Sequence, residues 1–129
     1  MTTELQTLIY IIILAMFYYF PYVVAYFKYW GFNAVFGNRE NVPALPEWAE
    51  RARAAHDNMN ENMIHFVPLV LIAHITGVSN EMTVMGVTLF FYSRIAYLVI
   101  YTLGIPWLRS LAYTTGLVGE VMILLQLFK

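Results

Sequence analysis

The sequence predicts an all-α integral membrane protein, a bundle of four transmembrane helices folded as one domain over residues 1–129. Three observations lead there. Of the 129 residues 60% are hydrophobic and 12% charged, against about 25% charged in an average soluble domain. Mean hydropathy is +0.62. Apolar stretches of roughly membrane-spanning length recur along the chain, separated by clusters of turn formers.

The first helix is expected over residues 4–30. Leu5 to Phe27 holds no charged residue over 23 positions, enough to cross a hydrocarbon core of roughly 30 Å. Pro21 predicts a kink within it, and Tyr26, Tyr29 and Trp30 stand where interfacial aromatics belong. The preceding MTTELQ has neither the basic region nor the small-residue cleavage site of a secretory signal, so the segment reads as a permanent helix. Gly31 to Pro46 contains Gly37, Asn38, Pro43 and Pro46 and reads as a loop.

The second helix, 47–77, opens with Pro46-Glu47, a proline followed by acid in the first turn. It is polar from Glu47 to Asn62 and apolar from Met63 to Val78, so it should start outside the membrane and enter it. Gly77 to Asn80 ends it. The third helix, 82–103, carries a single charge, Arg94, and Gly104-Ile105-Pro106 breaks the chain after it. The fourth, 107–128, holds Arg109 near its start and Glu120 deeper.

Basic residues mark the cytoplasmic side. Lys28, Arg39, Arg51 and Arg53 cluster around the first loop, and the second loop has none. This predicts the first and third loops cytoplasmic and both termini on the opposite side; the expected location is a bacterial inner membrane. The net charge of −1 supplies no basic patch for nucleic acid. With no cysteine there is no thiolate nucleophile, so any thiol chemistry needs a thiol brought by a ligand.

A charge at membrane depth costs at least ~2.5 kcal/mol near a helix centre and marks a functional site by default. In the predicted topology Arg94, Arg109 and the polar start of the second helix fall in the same leaflet. Each lies on a stripe of one helix face: Arg94, Tyr97 and Tyr101; Arg109, Tyr113, Gly116 and Glu120; Arg51, Asn58, Glu61 or Asn62, and His65. Such stripes fit a ligand site, and they also fit polar contacts between helices. Asp57, Glu61 and His65 share a face, but their spacing is i+4 rather than the i+3 of di-metal bundles. No His-x-x-His or His-Glu-x-x-His occurs, so no metal site is expected.

Three motifs resemble a known family. Arg51-Ala-Arg-Ala-Ala-His-Asp-Asn58-Met-Asn-Glu61-Asn62, followed by Phe66-Val-Pro68, resembles the second-helix signature of MAPEG proteins, the membrane-associated proteins in eicosanoid and glutathione metabolism. Arg94-Ile-Ala-Tyr97-Leu-Val-Ile-Tyr101 is similar to the third-helix motif, and Pro106-Trp-Leu-Arg109-Ser110-Leu-Ala-Tyr113 to the fourth-helix segment. The resemblance covers nearly the whole chain.

The resemblance implies a homotrimer that binds glutathione, as co-substrate, between subunits near the cytoplasmic leaflet. A lipophilic small molecule enters from the membrane lipids. By position, Asn58 and Glu61 match the residues that hold the glutathione backbone and amine. Arg94, Tyr97 and Tyr101 match ligand contacts. Arg109 matches the arginine beside the sulfur, with Ser110 and Tyr113 its neighbours. An adjacent arginine lowers a thiol's pKa from about 8.5 and stays charged at every working pH, which makes Arg109 the expected catalytic residue. The chain departs from the family at Ala54 and Asp57, where glutathione-using members often carry arginine. Arg51 and Arg53 are the expected substitutes.

The function expected is a glutathione-dependent transferase or peroxidase acting on lipophilic electrophiles or hydroperoxides. The alternative is a non-catalytic lipid-binding scaffold like the 5-lipoxygenase-activating branch of the family. A small transporter subunit is a third reading.

Overall fold

A computed structural model describes all residues, Met1–Lys129. The chain is helical throughout, with no strand. Its elements are α1 (Thr3–Phe17), α2 (Phe20–Trp30), α3 (Phe32–Phe36), α4 (Glu47–Ile75), α5 (Glu81–Leu103) and α6 (Pro106–Leu127). By length and apolar composition Thr3–Trp30, Glu81–Leu103 and Pro106–Leu127 can cross a membrane. The 29 residues of α4 are polar in their first half.

The first apolar stretch is two helices rather than one kinked helix. α1 ends at Phe17, four residues before Pro21. Proline has no N–H to offer that carbonyl, and its ring clashes with it. Tyr18 and Tyr19 form the joint, and Pro21 sits in the first turn of α2. The segment expected as a loop also contains a short helix, α3. Gly31, at φ +85°, reverses the chain, and Phe32 and Phe36 then pack against Phe27 with ring centroids 6.0 and 5.8 Å away.

α4 buries Ala49, Ala52, Ala55, Met59, Asn62, Phe66, Val70 and Ala73. These recur at three- and four-residue spacing and make one continuous face. Three alanines in the polar half bring its backbone close to its neighbours, and larger side chains fill the apolar half. Phe66 stacks on Phe90 of α5 with centroids 3.8 Å apart and planes 6° from parallel. Met59, Val70, Val87 and Ile123 complete the core around them.

α5 and α6 approach most closely. A Cβ on Gly86 would come within 2.6 Å of the Gly119 carbonyl, and one on Gly119 within 2.5 Å of the Gly86 carbonyl. Small residues at facing positions let membrane helices meet backbone to backbone. α5 is also tightly capped. Asn80 Oδ1 accepts from the Met82 and Thr83 amides at 2.9 and 3.1 Å, and Thr83 Oγ1 accepts from the Asn80 amide at 2.8 Å. Gly104 closes it in the left-handed conformation, φ +81°, which spares the penalty a Cβ would bring.

Polar pairs fix the directions of the rods. Arg51 meets Thr102 and Asn58 meets Arg94, so α4 runs against α5. Glu4 meets Thr83 and Tyr18 meets Arg94, so α1 runs with α5. Much of the outer surface is apolar, including Ile12, Ile13, Leu71, Leu111, Val118 and Leu125, as a surface facing lipid requires. All-helical structure, apolar length and this outer face make the chain an integral membrane protein.

Candidate functional site

Arg94 lies midway along α5 and is 1% exposed. Its guanidinium donates to Asn58 Oδ1 at 2.9 Å and rests over the Tyr97 ring, 4.3 Å from the centroid. The Tyr18 hydroxyl donates to the Arg94 carbonyl from the joint between α1 and α2. Arg94 Nε has no partner. Leaving a buried donor unpaired costs about 1–3 kcal/mol, a cost the other contacts of Arg94 offset.

Asn58 links this charge to a cleft. Its Oδ1 also accepts from Asn62 Nδ2 at 3.2 Å, while the same nitrogen donates to the Asn58 carbonyl at 2.8 Å. The Asn58 oxygen is therefore committed, and its amide N–H groups remain free. Asn58 lines a cleft of about 370 Å³ together with Tyr97, Arg109, Ser110, Tyr113 and Thr114.

Arg109, one turn into α6, borders this cleft and a second one. The second, about 130 Å³, is lined by Arg51, Tyr101, Gly104, Ile105, Pro106 and Arg109. The Arg109 guanidinium lies 4.6 Å from the Tyr101 centroid and pairs with no carboxylate in the chain. Tyr97 stands between Tyr101 and Tyr113, with centroids 5.5 and 6.3 Å away. The three tyrosines form an aromatic floor beside two cations.

Arg51 reaches across from α4. Its Nε donates to the Thr102 carbonyl at 3.2 Å, and a weak surface pair joins it to Glu47 at 3.8 Å. A Cβ on Gly104 would stand 3.0 Å from Arg51 Cζ. This glycine thus serves both the helix end and the placing of Arg51. Ser110 Oγ donates back to the Pro106 carbonyl at 3.3 Å, so its oxygen can still accept.

Of the residues expected from the sequence, Arg51, Asn58, Arg94, Tyr97, Tyr101, Arg109, Ser110 and Tyr113 come together in this connected group. Arg53 and Glu61 do not. Arg53 lines a separate cavity with Tyr22, His56 and Asp57. Glu61 is exposed and pairs with no cation of the chain. Asp57 is thereby kept out of the Arg109 clefts. Sequence reasoning missed Tyr18, one of ten tyrosines, which gave no sign of its own in an apolar run. It also left Glu120 without a partner. Its Oε1 lies 2.8 Å from His65 Nδ1, close but not aligned as a hydrogen bond.

No curated protein and no solved structure matches the chain. The family model described as MAPEG family matches residues 5–129. That span takes in all three polar motifs and every helix but the first two residues of α1, and the chain belongs to the MAPEG family, membrane proteins of eicosanoid and glutathione metabolism.

Proposed function

We propose that the protein is a homotrimeric, four-span membrane enzyme that activates glutathione for attack on a lipophilic electrophile or hydroperoxide. The observation that carries this reading is Arg109: a partly buried guanidinium, unpaired with any carboxylate, on an aromatic floor between two clefts. A cation left free in a low-dielectric cleft stabilises an anion placed beside it. The glutathione thiol, with a free pKa of about 8.5, is that anion once it has lost its proton. Arg109 gives up no proton of its own.

The other residues bind and orient. Arg51 faces Arg109 across the smaller cleft and suits one of the two glutathione carboxylates. Asn58, held by Arg94 and Asn62, offers its N–H groups to a backbone carbonyl of the tripeptide. Arg94 is too buried to be a direct ligand and acts through Asn58. Glu61 is available to the ammonium group at a boundary between subunits. Arg53 lies outside the site.

In conjugation the thiolate sulfur forms a bond to an electrophilic carbon, and the leaving group departs with its electron pair. In peroxide reduction the thiolate takes the outer oxygen and releases the alcohol. A second glutathione then displaces water and forms the disulfide. The apolar outer face lets the lipophilic partner arrive from the bilayer, with the first and third loops on the cytoplasmic side.

One observation favours a second reading. Ala54 puts a methyl group where glutathione-using relatives carry a cation, which suits a scaffold that presents a lipid without catalysis. Two measurements separate the readings. Millimolar glutathione should raise the unfolding temperature of the purified protein, because a ligand of the native state adds stability. It should also support turnover of chlorodinitrobenzene or cumene hydroperoxide. No shift together with no turnover rejects the enzyme.

A further inference from the structure

A cleft of about 710 Å³, larger than either Arg109 cleft, lies on the other side of α4 from Arg109. Its walls are Tyr22, Tyr26, Phe27 and Phe36 from α2 and α3, and Arg53 and His56 from α4, with Arg39 from the loop between. The volume falls within the roughly 300–1,000 Å³ of small-molecule sites. We propose that this cleft binds the phosphate headgroup of an anionic phospholipid, with the upper parts of the acyl chains along its aromatic wall.

Charge is the first support. Arg39 and Arg53 pair with no carboxylate in the chain. Arg39 is held in place without being neutralised: its Nε donates to the Val35 carbonyl at 3.0 Å, and its guanidinium lies 5.2 Å from the Tyr26 centroid. Asp57 lines the same cleft, so two positive charges face one negative, and the balance favours an anion.

A hydrogen-bond relay is the second support. Asn60 Nδ2 lies 3.3 Å from His56 Nε2. With the Asn60 amide nitrogen donating, Nε2 is the accepting nitrogen of the ring. The neutral ring then carries its proton on Nδ1, which donates to Tyr22 Oη at 2.6 Å. The Tyr22 hydroxyl proton is left over and free to donate into the cleft. Burial holds the His56 imidazole below its ordinary pKa, partly offset by Asp57, which keeps the ring neutral. The cleft thus presents two guanidinium groups and one free O–H donor, a set suited to phosphate oxygens.

Depth is the third support, and it selects a lipid over a soluble anion. Arg53, His56 and Asn60 lie just before Met63, where α4 turns from polar to apolar. Tyr22 and Tyr26 lie just before Trp30, near the end of the apolar stretch. That is the level of the membrane surface, where interfacial aromatics gather and headgroup phosphates are found.

The full-length protein in neutral detergent tests the assignment. Dimyristoyl-phosphatidylglycerol should raise its unfolding temperature by about 3 °C more than phosphatidylcholine at the same mole fraction, and inorganic phosphate should give no shift. The Arg39→Gln/Arg53→Gln double variant should bind phosphatidylglycerol about tenfold more weakly, the loss expected for a charge-assisted contact. Tyr22→Phe keeps the ring and should lose about threefold, since a neutral hydrogen bond is worth less. Asp57→Asn should bind about threefold more tightly, a gain that misfolding does not imitate. Equal shifts with both lipids, a shift with inorganic phosphate alone, or an Asp57→Asn variant that binds no tighter would overturn the proposal.

Discussion

Two arginines of this chain sit in membrane helices and are used in opposite ways. Arg94 is enclosed: 1% exposed, bonded to Asn58, stacked on Tyr97, its own carbonyl held by Tyr18. Arg109 is open to two clefts and bonded to no group of opposite charge. The same costly residue is built into the fold in one place and left available in the other. Charge at membrane depth therefore marks a site without saying which member of it touches the ligand. The partners of each arginine say that.

The contrast predicts separable losses. Arg94→Ala removes one partner of a buried polar set and should destabilise the protein by about 3–5 kcal/mol, read from denaturant unfolding in detergent. Arg94→Met fills the same space without a charge and should cost less. If Arg94→Ala is as stable as the parent, the enclosed role fails. Arg109→Ala should unfold within about 1 kcal/mol of the parent while lowering glutathione-dependent turnover by about 100-fold or more. A variant that loses stability and activity together would make the two arginines alike.

Smaller effects sharpen the same division. Gly119→Ala forces α5 from α6 and should cost about 1–3 kcal/mol, with both arginines displaced. Gly104→Ala places a Cβ at φ +81° and against Arg51. It should cost about 1–2 kcal/mol in backbone strain and raise KM for glutathione more than it lowers kcat. The smallest effect concerns His56, outside both arginine clusters. Its folded pKa is depressed by burial, so the unfolded chain takes up a proton first as pH falls. The stability it contributes is full above its ordinary pKa of about 6.5 and is lost as pH drops through the folded value. His56→Gln should flatten that part of an unfolding-temperature profile, and an unchanged slope would contradict the assignment.

Much of this arrangement was legible in the chain. Helix ends are written in strong local signals: Gly77 to Asn80, Gly104 and Pro106 act through backbone chemistry that no distant contact revises. Arg94 and Arg109 announced themselves by cost. The break at Tyr18 was visible only as a kink, because Pro21 says where the ladder fails but not how far the chain turns. Arg53 stands apart from the Arg109 clefts for a related reason. It lies two residues from Arg51, about 200° around the helix, so the two point to different clefts. Face arithmetic separated them, and the family pattern had pulled them together. Tyr18 was illegible, since its role depends on where α1 packs.

The most direct test follows the ultraviolet absorbance of the bound glutathione thiolate across pH in the parent, Arg109→Lys and Arg109→Ala. If Arg109 activates the thiol, the parent shows saturable thiolate at pH 7. Arg109→Lys should retain part of it, and Arg109→Ala should bind glutathione with the thiol titrating near its free value of about 8.5. Thiolate that persists unchanged in Arg109→Ala, or a parent protein that binds glutathione only as the thiol at pH 7, would contradict the account.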